Sequence, residues 1–153
     1  MELEQQLKLL IADAANQGVP VTVMELAIAP VLKMLATQLQ HDEYYIIQNS
    51  ESDWVLTTIA NAKLKQHKKV IYAFVTVRDA ATFQGKSDPD LIAVPISVTQ
   101  LLFRLFSLHQ VDSIIFMNDS SNLNNGIEVL RNRFLDLIQQ QIEKLKQTPP
   151  YIA

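Results

Sequence analysis

Three apolar runs in the middle of the chain dominate its pattern of hydrophobic and polar positions. They occupy residues 69–77 (KVIYAFVTV), 91–96 (LIAVPI) and 111–117 (VDSIIFM). Short apolar runs rich in valine and isoleucine are typical of buried β-strands. The segments between them, 78–83 and 98–109, are predicted to be helices, the first stopped by a glycine. This alternation predicts a compact unit of helices packed on a largely buried sheet.

Two further strands are predicted upstream, at residues 43–48 and 54–59, because both segments are rich in tyrosine, isoleucine, valine and threonine. The turn-forming residues NSESD between them indicate a hairpin. We therefore expect one mixed sheet of about five strands that begins with this hairpin. Helix 98–109 should cross between the last two strands, as a right-handed connection of parallel neighbours.

Amphipathic patterns flank this unit. Residues 3–16 carry a leucine-rich stripe and are followed by Gly18, which is suited to end a helix. A second helix is expected from Pro30, with the proline in its first turn, and a closing helix over 128–146. The fold class is therefore α+β (mixed α/β). The chain reads as a single domain over residues 1–153, with a helical part at 1–40, a sheet-and-helix core at 43–147 and a loose tail at 148–153.

Helix 98–109 is apolar over too much of its circumference. At about 100° per residue its apolar side chains cover an arc of roughly 220°, whereas packing on one sheet needs a stripe only somewhat wider than 100°. The flank with Val98, Leu101 and Leu105 can face the sheet. The other flank needs a second cover, either the C-terminal helix or a second subunit. We therefore interpret Leu102, Phe103 and Phe106 as a possible interface, and the low content of charged residues favours a homodimer.

Composition excludes several kinds of chemistry. The chain has no cysteine, and its three histidines stand at no metal-ligand spacing, so we expect neither a metal site nor a cofactor. Its net charge of −3 argues against nucleic acid as a partner, and the lysines at 63, 65, 68 and 69 are interpreted as a solvated loop. Without a secretion signal or an apolar run long enough to span a membrane, the expected location is cytoplasmic.

Two groups of polar residues are candidate sites. His109 lies near the end of an apolar helix with Asp112 as a possible partner, and a helix-end contact is favoured over a catalytic dyad for this pair. The polar loop at 118–126 (NDSSNLNNG) offers Asn118, Asp119, Ser120 and Asn122 as possible ligand-binding side chains, since loops at strand ends often line ligand crevices. A turn-rich connector is the alternative interpretation of the same loop. No catalytic constellation is present in the sequence.

The order of the three apolar runs, with Arg78-Asp79-Ala80-Ala81 after the first and an apolar helix between the second and third, resembles the SseB-like bacterial proteins, a family named for enhanced serine sensitivity. The resemblance covers about residues 70–118. It implies the fold described above and a non-enzymatic accessory role. Family members often have Asn-Pro where this chain has Asn118-Asp119.

Two functional hypotheses follow. The first is a non-enzymatic accessory or protein-interaction module of the cytoplasm, acting as a homodimer or bound to another protein. The alternative is a regulatory domain that binds a small ligand through the loop at 118–126.

Overall fold

The computed structural model describes residues 1–61, 66–85, 88–118 and 125–147, and it has an α+β fold. Helices and strands follow each other as α1 (Leu3–Ala12), α2 (Val21–Val23), a π-helical turn (Met24–Ile28), α3 (Ala29–Thr37), β1 (Glu43–Gln48), β2 (Thr57–Asn61), β3 (Gln66–Ala73), α4 (Val77–Gln84), β4 (Ile92–Ser97), α5 (Val98–Arg104), β5 (Ser113–Met117), β6 (Gly126–Leu130) and α6 (Arg131–Gln147). The predicted tail at 148–153 lies outside the described residues.

The strands form two sheets, so the prediction of one five-stranded sheet was wrong. Strands β2, β3, β5 and β6 form a mixed sheet in that order, in which β3 and β5 are parallel. Strands β1 and β4 form a separate antiparallel ribbon. The parallel pair is thus β3 with β5, and the connection between them contains α4, β4 and α5. The expected parallel pairing of β4 with β5 does not occur.

In the described ranges, backbone hydrogen bonds between Tyr45 and Phe74 join the ribbon to the chain at the end of β3. The backbone N–H of Tyr45 donates to the carbonyl of Phe74 at 2.7 Å, and the N–H of Phe74 donates to the carbonyl of Tyr45 at 2.9 Å. Tyr45 therefore uses its backbone groups on the side away from β4. Pro95 stands opposite Tyr45 in the ribbon. Its nitrogen consequently faces the open edge of β4, where a residue without an N–H breaks no ladder bond.

The predicted hairpin at 43–59 is only a tight reversal of the chain. Asn49 Oδ1 accepts hydrogen bonds from the backbone N–H groups of Glu51 and Asp53, and one bridge joins Gln48 to Trp54. The second strand then starts three residues later than predicted and pairs with β3. The turn chemistry was correct, but the partner strands were not, because pairing depends on which strand each edge meets in the folded chain.

Strand β6 was missed. Residues 126–130 were assigned to the polar loop and to the first turn of the closing helix, yet they pair with β5, and α6 begins at Arg131. Val129 is buried, and Glu128 stands on the opposite face. Gly126 opens the strand at a crowded position, where an added Cβ would lie 3.0 Å from Ile115 Cγ2 and 3.1 Å from the carbonyl of Phe116.

The second helical segment starts earlier than predicted, because the chain is helical on both sides of Pro30. A proline removes a backbone N–H and crowds the carbonyl four residues before it, which here is Leu26. The π-helical turn at Met24–Ile28 widens the helix at this carbonyl. The helix therefore continues from Val21 to Thr37 with one wide turn in place of a break.

Most of the buried side chains belong to one core. It contains residues from α1, α3, α5 and α6 packed on one face of the larger sheet and on β1, with Tyr44 and Phe116 in edge-to-face contact at its centre, 5.0 Å apart between ring centroids. A smaller cluster of Ile47, Phe74, Ala80 and Met117 lies under α4, on the other face. Gly85 ends α4 with a φ of +77°, as the sequence predicted.

Candidate functional site

Helix α5 carries the apolar surplus that the sequence indicated. Val98, Leu101 and Leu105, the flank expected to face the sheet, are fully buried. Leu102 is also fully buried, with 0 % of its surface exposed. Its side chain therefore stabilises the core and has no surface to offer a partner, which corrects its assignment to a possible interface.

The expected helix 98–109 is shorter in the structure. Helix α5 ends at Arg104, and the chain continues in tight turns, in which the N–H of Phe106 donates to the carbonyl of Phe103 at 3.1 Å. Ser97 stands at the N-cap position of α5, and its side chain makes no capping hydrogen bond. Phe103 and Phe106 lie side by side, with ring centroids 5.5 Å apart.

The C-terminal helix supplies part of the cover that these two phenylalanines need. Phe106 packs edge-to-face against Phe134 of α6, with ring centroids 5.0 Å apart. Phe134 itself is completely buried, whereas Phe103 and Phe106 remain half-buried. Intrachain packing thus covers one side of the aromatic pair and leaves the other side facing solvent.

The uncovered side faces an open groove of about 360 Å³. Ile28 and Ile138 form its buried floor. Its walls come from α5 and the following turn, from the helical segment around the π-helical turn, and from α6. We call this surface the phenylalanine groove and define it by Val23, Ile28, Phe103, Phe106, Ile138 and Ile142.

An arginine at the start of α6 holds the turn that carries Phe106. Arg131, the first residue of α6, donates from Nε to the carbonyl of Leu105 at 2.7 Å and from Nη2 to the carbonyl of Phe106 at 3.1 Å. These carbonyls follow the end of α5, where a cation is favoured by the helix dipole. The groove wall is therefore fixed to α6 by charge-assisted hydrogen bonds as well as by aromatic packing.

Arg104 is the charged residue among the described residues that line the groove. Its guanidinium lies over the indole ring of Trp54, 4.8 Å from the ring centroid. Among the described residues Arg104 forms no ion pair. Stacking on an aromatic face leaves the in-plane N–H groups of a guanidinium available for an acceptor. The groove thus combines an apolar floor with one positioned cation.

His109 has a different partner from the one predicted. Its Nδ1 lies 3.1 Å from Nη2 of Arg131. Because a guanidinium has donors only, Nδ1 must accept this hydrogen bond. Asp112 instead accepts the backbone N–H of Lys69 at 2.8 Å and so connects the middle of β3 to the start of β5.

A polar cluster lies on the face of the larger sheet opposite the main core, beside a cleft of about 700 Å³. Glu128 forms an ion pair with Lys68 and accepts a hydrogen bond from Ser113 Oγ at 2.6 Å. Burial raises the pKa of the Glu128 carboxyl, but the hydrogen bonds from Lys68 and Ser113 outweigh burial and hold the pKa below 4.5. The side chains of Lys68, Ser113 and Glu128 therefore serve as ion-pair and hydrogen-bond partners for one another. Of the other lysines in the predicted solvated loop, Lys63 and Lys65 lie outside the described residues.

The structure describes the predicted ligand loop at Asn118, Asn125 and Gly126. Asp119, Ser120 and Asn122 lie outside the described residues, and Asn118 is the one proposed ligand residue that the structure describes. The backbone N–H of Asn118 donates to the carbonyl of Asn125 at 2.9 Å, and its side-chain amide donates to Asn125 Oδ1 at 3.2 Å. Asn118 therefore joins the ends of β5 and β6.

In the part of the chain that the structure describes, no three histidine, aspartate or glutamate side chains come together as a group that could hold a metal ion. Within the same ranges, no helix has the length and apolar character needed to cross a membrane. No protein-family model matches the chain, and no curated protein and no solved structure is significantly similar to it.

Proposed function

We propose that this protein is a non-catalytic interaction module that holds a helical segment of another protein in the phenylalanine groove. The observation that carries the proposal is the position of Phe103 and Phe106, which are half-buried and face an open apolar groove. Covering a phenylalanine side chain that is fully exposed contributes about 1.5–3 kcal/mol, and each of these two has part of that gain left. Phenylalanine, tryptophan and arginine are also typical of interface centres.

The aromatic pair is held in place before any partner binds. Phe134 packs edge-to-face against Phe106, and the side chain of Arg131 fixes the backbone of the turn by a hydrogen bond to the carbonyl of Phe106. A surface that is already ordered loses little conformational entropy on binding. This rigidity favours recognition of a partner over a role for the two rings as a loosely packed part of the core.

The shape of the groove favours a convex occupant. Two copies of a concave surface cannot fill each other in a symmetric dimer, so a homodimer through this groove would need a protruding element from each subunit. Helices and turns form the walls, and no strand contributes a lining residue among those described. The backbone groups of a helix form hydrogen bonds with one another, whereas those of an extended peptide need the edge of a strand as their partner. A helical segment is therefore the occupant that suits these walls.

The resemblance to the SseB-like proteins agrees with an accessory role and does not point to a ligand. We retain the homodimer and the cytoplasmic location as predictions. The small-ligand alternative uses Asn118, Asp119, Ser120 and Asn122, of which the last three lie outside the described residues.

The test begins with a photo-crosslinking amino acid placed at Ser107, on the exposed rim of the groove, in the native host cell. The same amino acid at Thr58, an exposed position on β2, is the control. A protein crosslinked from Ser107 and not from Thr58 is identified by mass spectrometry and purified. Its affinity is then measured by calorimetry for three forms of the module: wild type, Phe103→Gln and Ile92→Gln.

Phe103→Gln should weaken binding at least about tenfold, because an amide replaces the ring at the centre of the groove. Ile92→Gln should leave affinity unchanged, since Ile92 is 54 % exposed on β4, away from the groove. Equal affinity of wild type and Phe103→Gln would refute the proposal. If the crosslinked protein is a second copy of this chain, sedimentation of the same variants tests the homodimer directly.

A further inference from the structure

We infer that the helix recognised by the phenylalanine groove carries a carboxylate that pairs with Arg104. This inference rests on the proposed function and adds to it the chemistry of the partner: an amphipathic helix with an apolar face and an aspartate or glutamate at the edge of that face. The juxtaposition that supports it is a stacked, ion-pair-free arginine at the rim of an otherwise uncharged groove.

Arg104 is positioned independently of any partner. The guanidinium carbon lies 4.8 Å from the centroid of the Trp54 ring, and Trp54 is half-buried against the main core. The aliphatic part of Arg104 leaves the last turn of α5, one residue after Phe103. The attachment to α5 and the stacking on Trp54 therefore determine where its charge lies, and a positioned guanidinium loses little rotamer freedom when it binds an acceptor.

The charges around the groove favour an acidic partner. Arg104 is the charged side chain among the described lining residues, while Gln17 and Ser107 are polar and neutral. No described carboxylate neutralises Arg104. A basic helix would bring like charges together at the rim of the groove, whereas a carboxylate can accept two parallel N–H bonds from the guanidinium. The apolar floor supplies most of the contact area, and Arg104 decides between helices of opposite charge.

The experiment selects binders from a phage library of randomised helical peptides, using the complete chain as the immobilised target. Parallel selections use wild type, Arg104→Glu and Arg133→Glu. Arg133 is an exposed arginine on α6 outside the groove, so its replacement makes the same change in net charge. Each enriched peptide is then synthesised, and its affinity is measured for wild type, Arg104→Glu, Arg133→Glu and Phe103→Gln.

Wild type and Arg133→Glu should enrich peptides with three or more apolar anchors at helical spacing and an acidic residue beside them. Arg104→Glu should bind those peptides at least about tenfold more weakly than wild type. The selection on Arg104→Glu should enrich peptides with lysine or arginine at the position of the acidic residue. Two results with peptides that need Phe103 would overturn this inference and leave the proposed function standing. One is the absence of a preference for acidic residues, and the other is a preference that does not reverse with Arg104→Glu. The inference and the proposed function would both be overturned if no peptide is enriched. They would also be overturned if every enriched peptide binds Phe103→Gln with the same affinity as wild type.

Discussion

Gln6 is a polar residue inside the apolar packing of α1, with 3 % of its surface exposed. Its side-chain amide donates to the carbonyls of Met1 and Asp42, both at 2.9 Å, and its Oε1 accepts from the N–H and the hydroxyl of Thr99. All the hydrogen-bonding capacity of the amide is used. One side chain thus connects α1, the start of α5 and the segment that leads into β1.

Replacing Gln6 by alanine should lower the free energy of unfolding by about 2–4 kcal/mol, because the buried N–H and hydroxyl of Thr99 would both lose their acceptor. Gln5→Ala removes the neighbouring, exposed glutamine and should change stability by less than about 0.5 kcal/mol. Urea denaturation followed by circular dichroism measures both variants. Equal stability of the two would contradict the role assigned to Gln6.

Glu128 makes the stability of the fold depend on acid pH. Because its pKa in the folded protein is lower than 4.5, the value expected for the unfolded chain, the folded state gains stability from this carboxylate above that pH. The gain is lost as the pH falls from 4.5 through the lowered pKa of the folded protein. Glu128→Gln should therefore flatten the dependence of the unfolding free energy on pH in this acid range.

The matched control is Glu143→Gln, which removes an exposed carboxylate on α6 and makes the same change in net charge. Denaturation midpoints collected between about pH 2.5 and pH 7 compare the two variants with wild type. The prediction fails if both variants retain the acid slope of the wild-type protein.

At the scale of elements, the junction between α5 and α6 determines the shape of the groove. Helix α5 ends early, and its last carbonyls are taken by a side chain from the start of another helix. The π-helical turn has a comparable effect on the opposite wall, because it lets one helix pass Pro30 and present both Val23 and Ile28 to the groove. Wide turns of this kind often occur at functional sites.

Arg131→Ala should lower the unfolding free energy by about 1.5–3 kcal/mol, since the carbonyls of Leu105 and Phe106 would lose a charged donor. Arg131→Lys should recover only part of this loss, because an ammonium group cannot reproduce the forked geometry of a guanidinium. Arg133→Ala, at an exposed position two residues later, is the control. Chemical denaturation gives the three values, and amide hydrogen exchange should show faster opening of residues 105–108 in Arg131→Ala.

At the scale of the whole molecule, two apolar clusters of unequal size share the larger sheet. Phe116 belongs to the main core and contacts Tyr44 of the β1–β4 ribbon, so it links the two sheets. Phe83 is half-buried in the smaller cluster, where it packs against Tyr72 and Phe74 at ring-centroid distances of 4.9 and 5.2 Å.

Phe116→Ala should therefore cost about 3–5 kcal/mol and affect the entire fold, whereas Phe83→Ala should cost less and loosen mainly α4. Hydrogen exchange monitored by mass spectrometry can resolve the two effects. Phe116→Ala should raise exchange in β1, β3 and β5 together, and Phe83→Ala only in residues 77–84. Uniform loosening by both variants would mean that the two clusters unfold as one unit.

The amino-acid sequence by itself determined the elements whose signals are local. Apolar runs located β3, β4 and β5, Gly85 ended α4, and the wide apolar arc of α5 pointed to Phe103 and Phe106. Strand β6 was missed because five residues beside a polar loop carry too little periodic signal to be separated from the following helix.

Only the tertiary structure decided which strands pair and what completes the groove. Strand partners depend on contacts between distant segments, so β1 pairs with β4 although β2 is nearer in sequence. Arg104 of α5 stacks on Trp54, which precedes β2, and Arg131 reaches the carbonyl of Leu105 across 26 positions. Side chains so far apart in sequence leave no periodic trace of their contact. The residue pattern therefore predicted an aromatic pair that needs a second cover, and packing alone revealed the groove beside it and the arginine at its rim.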